Sequence, residues 1–300
     1  MNTNRARLFY FNIDYICNNN CKYCCSKSTR NRLSDIIEIE DIEVLIKKFN
    51  INCNDTIVLS GGEPTVSPVF FDIITLLHQV TQKIIVYTNG RLINGIDDNL
   101  IGCIQRFIVP VYGLLENHDN YVGVKGAFKE TYEGMIRLIK HNVDILELKI
   151  VYDSERNFTE LVNSSCFKTL MKNNRFSITR LLIQSGEEQI IQKKSLNIIE
   201  DEIVYLWSLG KKVKFYDFPF CTFSDNFKTK IRSCYNPELN EMYDIFYCKA
   251  GGVSNRISFD KKSDYFNKCL YCHDNIFCCK MMQNYYCPIV YDNTCRLSTE

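Results

Sequence analysis

The chain has 300 residues, 46% of them hydrophobic, and 36 Lys and Arg balance 35 Asp and Glu to a formal net charge of +1 at pH 7. That is the composition of a globular protein with enough chain for one large or two smaller domains and a sizeable core. So even a balance gives no electrostatic case for nucleic acid or an anionic membrane, and no apolar run is long enough to span a bilayer.

The opening, MNTNRARLFYFNIDYIC, holds only a short apolar patch, broken by Asn12 and Asp14, with no small-residue cleavage site. It is not a signal peptide, and the expected location is the reducing cytoplasm. There the 16 cysteines are better explained by metal or clusters than by disulfides, and nine of them fall between Cys221 and Cys295. From Leu8 to about Lys212 the pattern alternates apolar strands with amphipathic helices. Strands are predicted over 8–16, 56–60, 84–88, 107–112, 146–152 and 178–184, and helices over 39–49, 69–80, 128–142, 158–173 and 196–209, with a weaker helical pattern at 98–105. Such alternation implies an α/β fold with parallel strands and right-handed crossovers. Six units make a partial (β/α)6 TIM-like barrel over residues 1–212, followed by a small cysteine-rich domain over 213–300. Chemistry is expected at the C-terminal ends of the barrel strands.

The first strand leads into Cys17-Asn18-Asn19-Asn20-Cys21-Lys22-Tyr23-Cys24. Three thiolates in a short loop can hold three irons of a cubane [4Fe–4S] cluster and leave the fourth iron without a protein ligand. A structural site would be closed by a fourth ligand, whereas an open position suggests chemistry at the metal. Cys25 stands beside the triplet, but adjacent cysteines rarely both reach one metal; it reads as a spare thiol or a packing residue. CxxxCxxC with an aromatic residue before the last Cys resembles the signature of the radical S-adenosylmethionine (SAM) enzymes. The resemblance implies that SAM binds the open iron through its amino and carboxylate groups. An electron from the cluster then cleaves it to methionine and a 5′-deoxyadenosyl radical.

Later strand ends extend the resemblance. Gly61-Gly62-Glu63-Pro64 follows the second strand, and paired glycines there allow close backbone approach. GGEP resembles the family motif whose backbone and Glu meet the amino group of SAM. Thr88-Asn89-Gly90, ending the third strand, is similar to the family's TNG, near the SAM methionine moiety or the substrate. His118-Asp119 lies in what reads as a loop resembling a family form, before the helix at 128. His118 invites an acid–base role, but a His-Asp pair in a loop more often orders the loop or caps a turn. Lys149 on the fifth strand, followed by Asn157, matches the family's "K-x-V … N" layout. Arg180 stands in a sixth-strand segment like the family's "R…P.G", with Gln184-Ser185 where proline is usual. Lys149, Arg180 and Gln184 are therefore candidates to face SAM or substrate.

Beyond residue 213 the pattern changes. The stretch around 214–221 reads as a strand closing the barrel, and cysteines then become dense: Cys221, Cys234, Cys248, Cys269, Cys272, Cys278, Cys279, Cys287 and Cys295. Cys269 to Cys278 is a CxxCx5C that resembles the SPASM extension of radical SAM enzymes, which carries auxiliary [4Fe–4S] clusters. Met282 stands where the next thiol belongs, and Cys279 is the nearest substitute. A second alignment runs from Cys248-Lys249-Ala250-Gly251-Gly252 to Cys269 and resembles the SPASM opening. Cys269 cannot serve both, so the ligand set stays open. Nine thiols suffice for two clusters, or for one with spares as in the smaller twitch extension, and a zinc ribbon is the competing reading.

Together these resemblances imply reductive SAM cleavage followed by hydrogen-atom abstraction. Many relatives of this architecture act on peptides, so a maturase of a ribosomally made peptide is the first expectation, forming a crosslink or thioether or epimerising a residue. The chain starts directly at its first strand, so a separate leader-recognition protein, or direct leader binding, is expected. A reducing partner of the flavodoxin or ferredoxin type is implied as well. The alternatives are a small-molecule radical SAM dehydrogenase or epimerase, a sulfatase-maturase-like protein oxidase and, in another class, a non-catalytic zinc or iron–sulfur protein. No basic stripe suggests a nucleic-acid module.

Overall fold

The structure is a computed structural model, and it describes residues 7–22, 24, 37–152, 159–171, 175–180, 193–216, 223–234, 244–249 and 252–257. Nine described strands form one sheet. They are β1 (Arg7–Asn12), β2 (Thr56–Ser60), β3 (Ile84–Tyr87), β4 (Arg106–Val111), β5 (Ile145–Tyr152), β6 (Arg175–Arg180), β7 (Lys212–Tyr216), β8 (Asp244–Lys249) and β9 (Gly252–Ile257). Their order is β7-β6-β5-β4-β3-β2-β1-β8-β9. All neighbours run parallel except β8 and β9, which form an antiparallel hairpin.

Helices fill the crossovers: α1 (Ile39–Phe49), α2 (Phe70–His78), α3 (Asp98–Gly102), α4 (Glu116–Val122), α5 (Ala127–Lys140), α6 (Thr159–Asn163), α7 (Ser165–Leu170), α8 (Lys193–Ser208) and α9 (Asp225–Cys234). Local chemistry explains several boundaries. Glu38 and Asp41 form a capping box at the start of α1, and Asn50 ends it in the left-handed region at φ 47°. The predicted helix over 158–173 is two short helices, because the Ser164 hydroxyl caps α7 by accepting from the Phe167 N–H at 3.0 Å.

Strand alternation sorts the side chains. Phe9, Phe11, Ile57, Leu59, Ile84, Val86, Phe107, Val109, Leu146 and Leu148 turn toward the helices and join the main core with residues such as Ile42, Ile73, Leu77, Met135 and Leu138. The opposite parity lines the inner face of the partial barrel, where Val58, Ile85 and Ile108 pack with Leu8, Tyr10 and Tyr87. Near-continuous apolar strands are what a parallel sheet covered on both faces requires.

Two expectations are corrected. The segment read as a loop around His118 contains α4: Tyr121, Val122 and His118 share one buried face at helical spacing, and Gly123 ends the helix at φ 68°. Nor does β7 close the barrel on β1. It adds to the sheet beyond β6, while the free edge of β1 is taken by β8, with Arg7 paired to Asp244 and Phe11 to Cys248. Strands from the segment beyond residue 212 thus continue the sheet at both ends.

Candidate active site

The C-terminal rim gathers the motifs. Past β1 the chain keeps pairing with the chain past β2: the Ile13 N–H donates to Ser60 O at 3.1 Å, the Gly62 N–H to Asp14 O at 2.8 Å, and the Glu63 N–H to Ile16 O at 2.8 Å. A Cβ on Gly61, whose φ is +142°, would lie 2.2 Å from Asp14 O; one on Gly62 would lie 2.2 Å from Ile16 O. The two glycines are therefore required by the approach of the cysteine-loop backbone itself.

Glu63 joins the second motif to the third. It is 1% exposed. One carboxylate oxygen accepts from the Thr65 N–H at 3.2 Å, the Thr65 hydroxyl at 2.7 Å and the Thr88 hydroxyl at 2.6 Å. The other accepts from the Asn89 N–H at 2.6 Å. Burial pushes the Glu63 carboxyl above its ordinary range, and the bonds from Asn89, Thr88 and Thr65 pull it back. Asp14, fully buried below the loop, is likewise raised by burial and lowered by Ser67 and the Ile16 N–H. Pro64, also buried, opens a short 3-10 turn behind Glu63.

The cysteine loop is held from two further sides. Asn89 Nδ2 donates to Asn18 Oδ1 at 2.6 Å, and Arg91 Nη1 donates to Asn18 O at 2.5 Å and to Asn19 Oδ1 at 2.9 Å. On the other flank the Asn20 N–H donates to Val122 O at 2.7 Å and the Lys22 N–H to Tyr121 O at 2.8 Å, so the end of α4 brackets Cys21. Cys21 packs on the cluster of Tyr121, Val122 and Ala127. A Cβ on Gly123 would meet Asn20 O at 2.6 Å. Cys17, Cys21 and Cys24 are half-buried and carry thiols rather than disulfides. Among the described residues no three His, Cys, Asp or Glu side chains converge as one metal ion would demand. Three soft thiolates on separate iron corners of a cubane need no such convergence, so this donor set fits a [4Fe–4S] cluster.

Other expected residues fall in different places. His118 is 1% exposed, within aromatic packing. Its Nδ1 accepts from the Tyr112 N–H at 3.4 Å, and its ring meets Phe128 edge-on at 5.8 Å. Asp119 caps α5, accepting from the Gly126 N–H at 2.5 Å and the Phe128 N–H at 2.7 Å. Lys149 sits on the inner face with its Nζ 5.5 Å from the centre of the Tyr87 ring. Arg180 ends β6 with its Cα in register with Tyr152 of β5. Cys234 ends α9 and Cys248 lies on β8. Asn157, Gln184, Cys221, Cys269, Cys272, Cys278, Cys279, Cys287 and Cys295 lie outside the described residues. The residue that sequence reasoning missed is Arg91; its signal was a cation directly after Thr88-Asn89-Gly90.

A parallel α/β sheet whose upper rim braces an open three-cysteine loop defines an enzyme scaffold with its chemistry at the strand ends. The family model of the radical SAM superfamily matches residues 11–162, just over half of the chain, and the chain belongs to that superfamily. Among curated proteins it is 28% identical over 165 residues to an AdoMet-dependent heme synthase of Methanosarcina barkeri, covering 54% of this chain and 47% of that protein. It is also 26% identical over 155 residues to the antilisterial bacteriocin subtilosin biosynthesis protein AlbA of Bacillus subtilis, covering 50% and 34%. The chain thus spans about half or less of the length of these relatives. Among solved structures, anSMEcpe with bound AdoMet and the Cp18Cys peptide superposes with a TM-score of 0.55 at 16% identity, covering 70% of this chain and 63% of that one. At that identity the likeness is one of fold.

Proposed function

We propose that this enzyme cleaves SAM reductively and abstracts a hydrogen atom from a ribosomally made peptide, as a crosslinking, thioether-forming or epimerising maturase. The observation that carries the first half is the three-sided bracing of the cysteine loop by Gly61-Gly62-Glu63, Thr88-Asn89 and α4. Cys17, Cys21 and Cys24 would hold a [4Fe–4S] cluster, which supplies the electron for SAM cleavage. The protein's own work is alignment. Glu63 locks two strand-end loops together, so the backbone of Gly61, Gly62 and Pro64 keeps a fixed place beside the cysteine loop, ready for the amino group of SAM. Thr88 and Asn89 serve that geometry through their bonds to Glu63 and Asn18. The apolar inner face of Leu8, Val58, Ile85 and Ile108 keeps water from the reacting carbon, and Lys149 offers a cation to an anionic group of SAM or substrate.

The peptide half is supported by the bacteriocin relative and by the peptide in the superposed structure. The segment over 213–300 would form the second domain and carry one or two auxiliary clusters, drawn from Cys221, Cys234, Cys248 and the cysteines from 269 to 295. A flavodoxin- or ferredoxin-type protein would supply electrons in the cytoplasm, and a recognition protein, or the enzyme itself, would bind the leader. Among the described residues no helix is long and apolar enough to cross a membrane. A second reading, chemistry on a small molecule, is favoured by the heme synthase relative.

The test is iron and sulfide content together with 5′-deoxyadenosine formation, comparing anaerobically reconstituted wild type with C17A/C21A/C24A. About eight or twelve irons per chain, falling by about four with all 5′-deoxyadenosine lost, is the expected result. Intact 5′-deoxyadenosine formation in the triple variant would overturn the reading. Mass spectrometry of peptides encoded beside the gene then separates the two substrate classes.

A further inference from the structure

Arg91 is spent on the cysteine loop in a way that the motifs around it do not explain. It follows Gly90, its side chain is 12% exposed, and its Nε donates to Glu130 Oε2 at 2.6 Å on α5. Its Nη1 reaches across to Asn18 O and Asn19 Oδ1, the two residues after Cys17. Asn19 is itself 6% exposed, and its backbone N–H donates to Cys17 Sγ at 3.4 Å. Asn89 takes part from the same side: it holds the Asn18 side chain through Nδ2, while its Oδ1 accepts from the Arg91 N–H at 3.0 Å. The guanidinium therefore fixes the peptide unit that hydrogen-bonds the first cysteine sulfur, and it brings a positive charge one residue from that sulfur.

We propose that Arg91 is a positioning residue that raises the reduction potential of the cluster and slows its loss, by holding the Asn19 N–H on Cys17 Sγ and by its charge. The inference rests on the three cysteines holding a cluster. Reduction adds one electron to a centre that is already anionic, so an N–H bonded to a ligand sulfur and a nearby cation both favour the reduced form. Arginine suits the task because its planar fork serves Asn18, Asn19 and Glu130 at once in a fixed geometry, which an ammonium cannot. Glu130, 49% exposed, offsets part of the charge.

The experiment uses the full reconstituted chain as wild type, R91Q, R91K and E130Q. It reads the midpoint potential of the SAM-binding cluster by spectroscopically monitored titration, and the rate of iron release to a chelator. R91Q is expected to move the potential to more negative values and to release iron several-fold faster. R91K keeps the charge but not the fork: its potential should lie between those of wild type and R91Q, with iron release as fast as in R91Q. E130Q should move the potential the other way. Wild-type potential and iron release in R91Q would overturn the proposal, as would wild-type iron release in R91K should R91Q fail to fold. A wild type that binds no cluster would instead overturn the functional reading beneath it.

Discussion

The two rims of the sheet use buried carboxylates in opposite ways. At the lower, N-terminal rim two buried carboxylates, Asp55 and Glu147, meet arginines. Arg7 forks onto Asp55 at 2.8 and 2.5 Å while also donating to Phe49 O and Asn50 O, and Arg106 lies 3.6 Å from Glu147, which is 2% exposed. At the upper rim Glu63 is held by two hydroxyls and two backbone N–H groups and Asp14 by the Ile16 N–H, and burial raises both. Charge paired with charge closes the bottom of the barrel. At the top, a carboxylate that gathers four neutral donors ties together loops that must present backbone groups in register, and it does so at some cost in desolvation. The lower rim is built for stability and the upper rim for placement, as barrel enzymes divide these tasks.

Breaking the lower rim should cost the most stability and the least chemistry. Arg106→Met leaves Glu147 buried beside no guanidinium; a loss of about 3–4 kcal/mol is expected in denaturant melts. 5′-Deoxyadenosine formation per folded molecule should stay at wild-type level, and a large fall there would erase the distinction between the rims. Gly62→Ala attacks the upper rim through its backbone, since the new methyl would stand 2.2 Å from Ile16 O. About 2–3 kcal/mol of strain is expected, with loss of cluster iron after reconstitution as the sharper signature.

Glu63→Gln should have the smallest effect on stability, within about 1 kcal/mol at neutral pH, while 5′-deoxyadenosine formation falls by roughly tenfold as charge-assisted bonds are lost. Its pH dependence sharpens the comparison. Because burial raises the Glu63 carboxyl, the folded chain holds that proton more tightly than the unfolded chain. The resulting stability is fully present below about 4.5, the ordinary glutamate value, and is lost as pH rises through the folded value. The glutamine variant, isosteric with the protonated acid, should show a shallower decline in urea melts of the apoprotein, keeping only the part that Asp14 contributes. An unchanged decline would show that Glu63 is not its source.

Much of this was legible in the sequence where one signal ruled. Apolar strands at regular spacing fixed β2 through β5 to within a residue or so, because a sheet buried on both faces writes itself as apolar runs. The cysteine triplet, Gly61-Gly62-Glu63 and Thr88-Asn89 could be placed together because each follows a strand of one parallel sheet. What stayed hidden depends on partners distant in sequence. The segment Glu116–Val122 shows no clear apolar period, and its helix is secured by aromatic packing and by Gly123 against Asn20. The paired glycines suggested room for a ligand, whereas the close neighbour is the backbone of residues 14–16. Arg91 gave no periodic signal, since its partners, Asn18, Asn19 and Glu130, come from two other segments. The hairpin of β8 and β9 was equally unreadable, because only the vacant edge of β1 makes its first strand a parallel neighbour.

That last pairing has a consequence for how the protein is made. β1 is an interior strand, yet the residue opposite Arg7 is Asp244, 237 positions further along the chain. At about 5–20 residues per second a ribosome needs roughly 12–50 s to deliver the second partner after the first strand has emerged. Throughout that interval the nascent chain shows one naked strand edge, leading straight into its three cysteines. An edge of that kind invites mispairing and aggregation, so shielding by a chaperone during synthesis should matter more to the yield of this enzyme than to its stability once β8 has arrived.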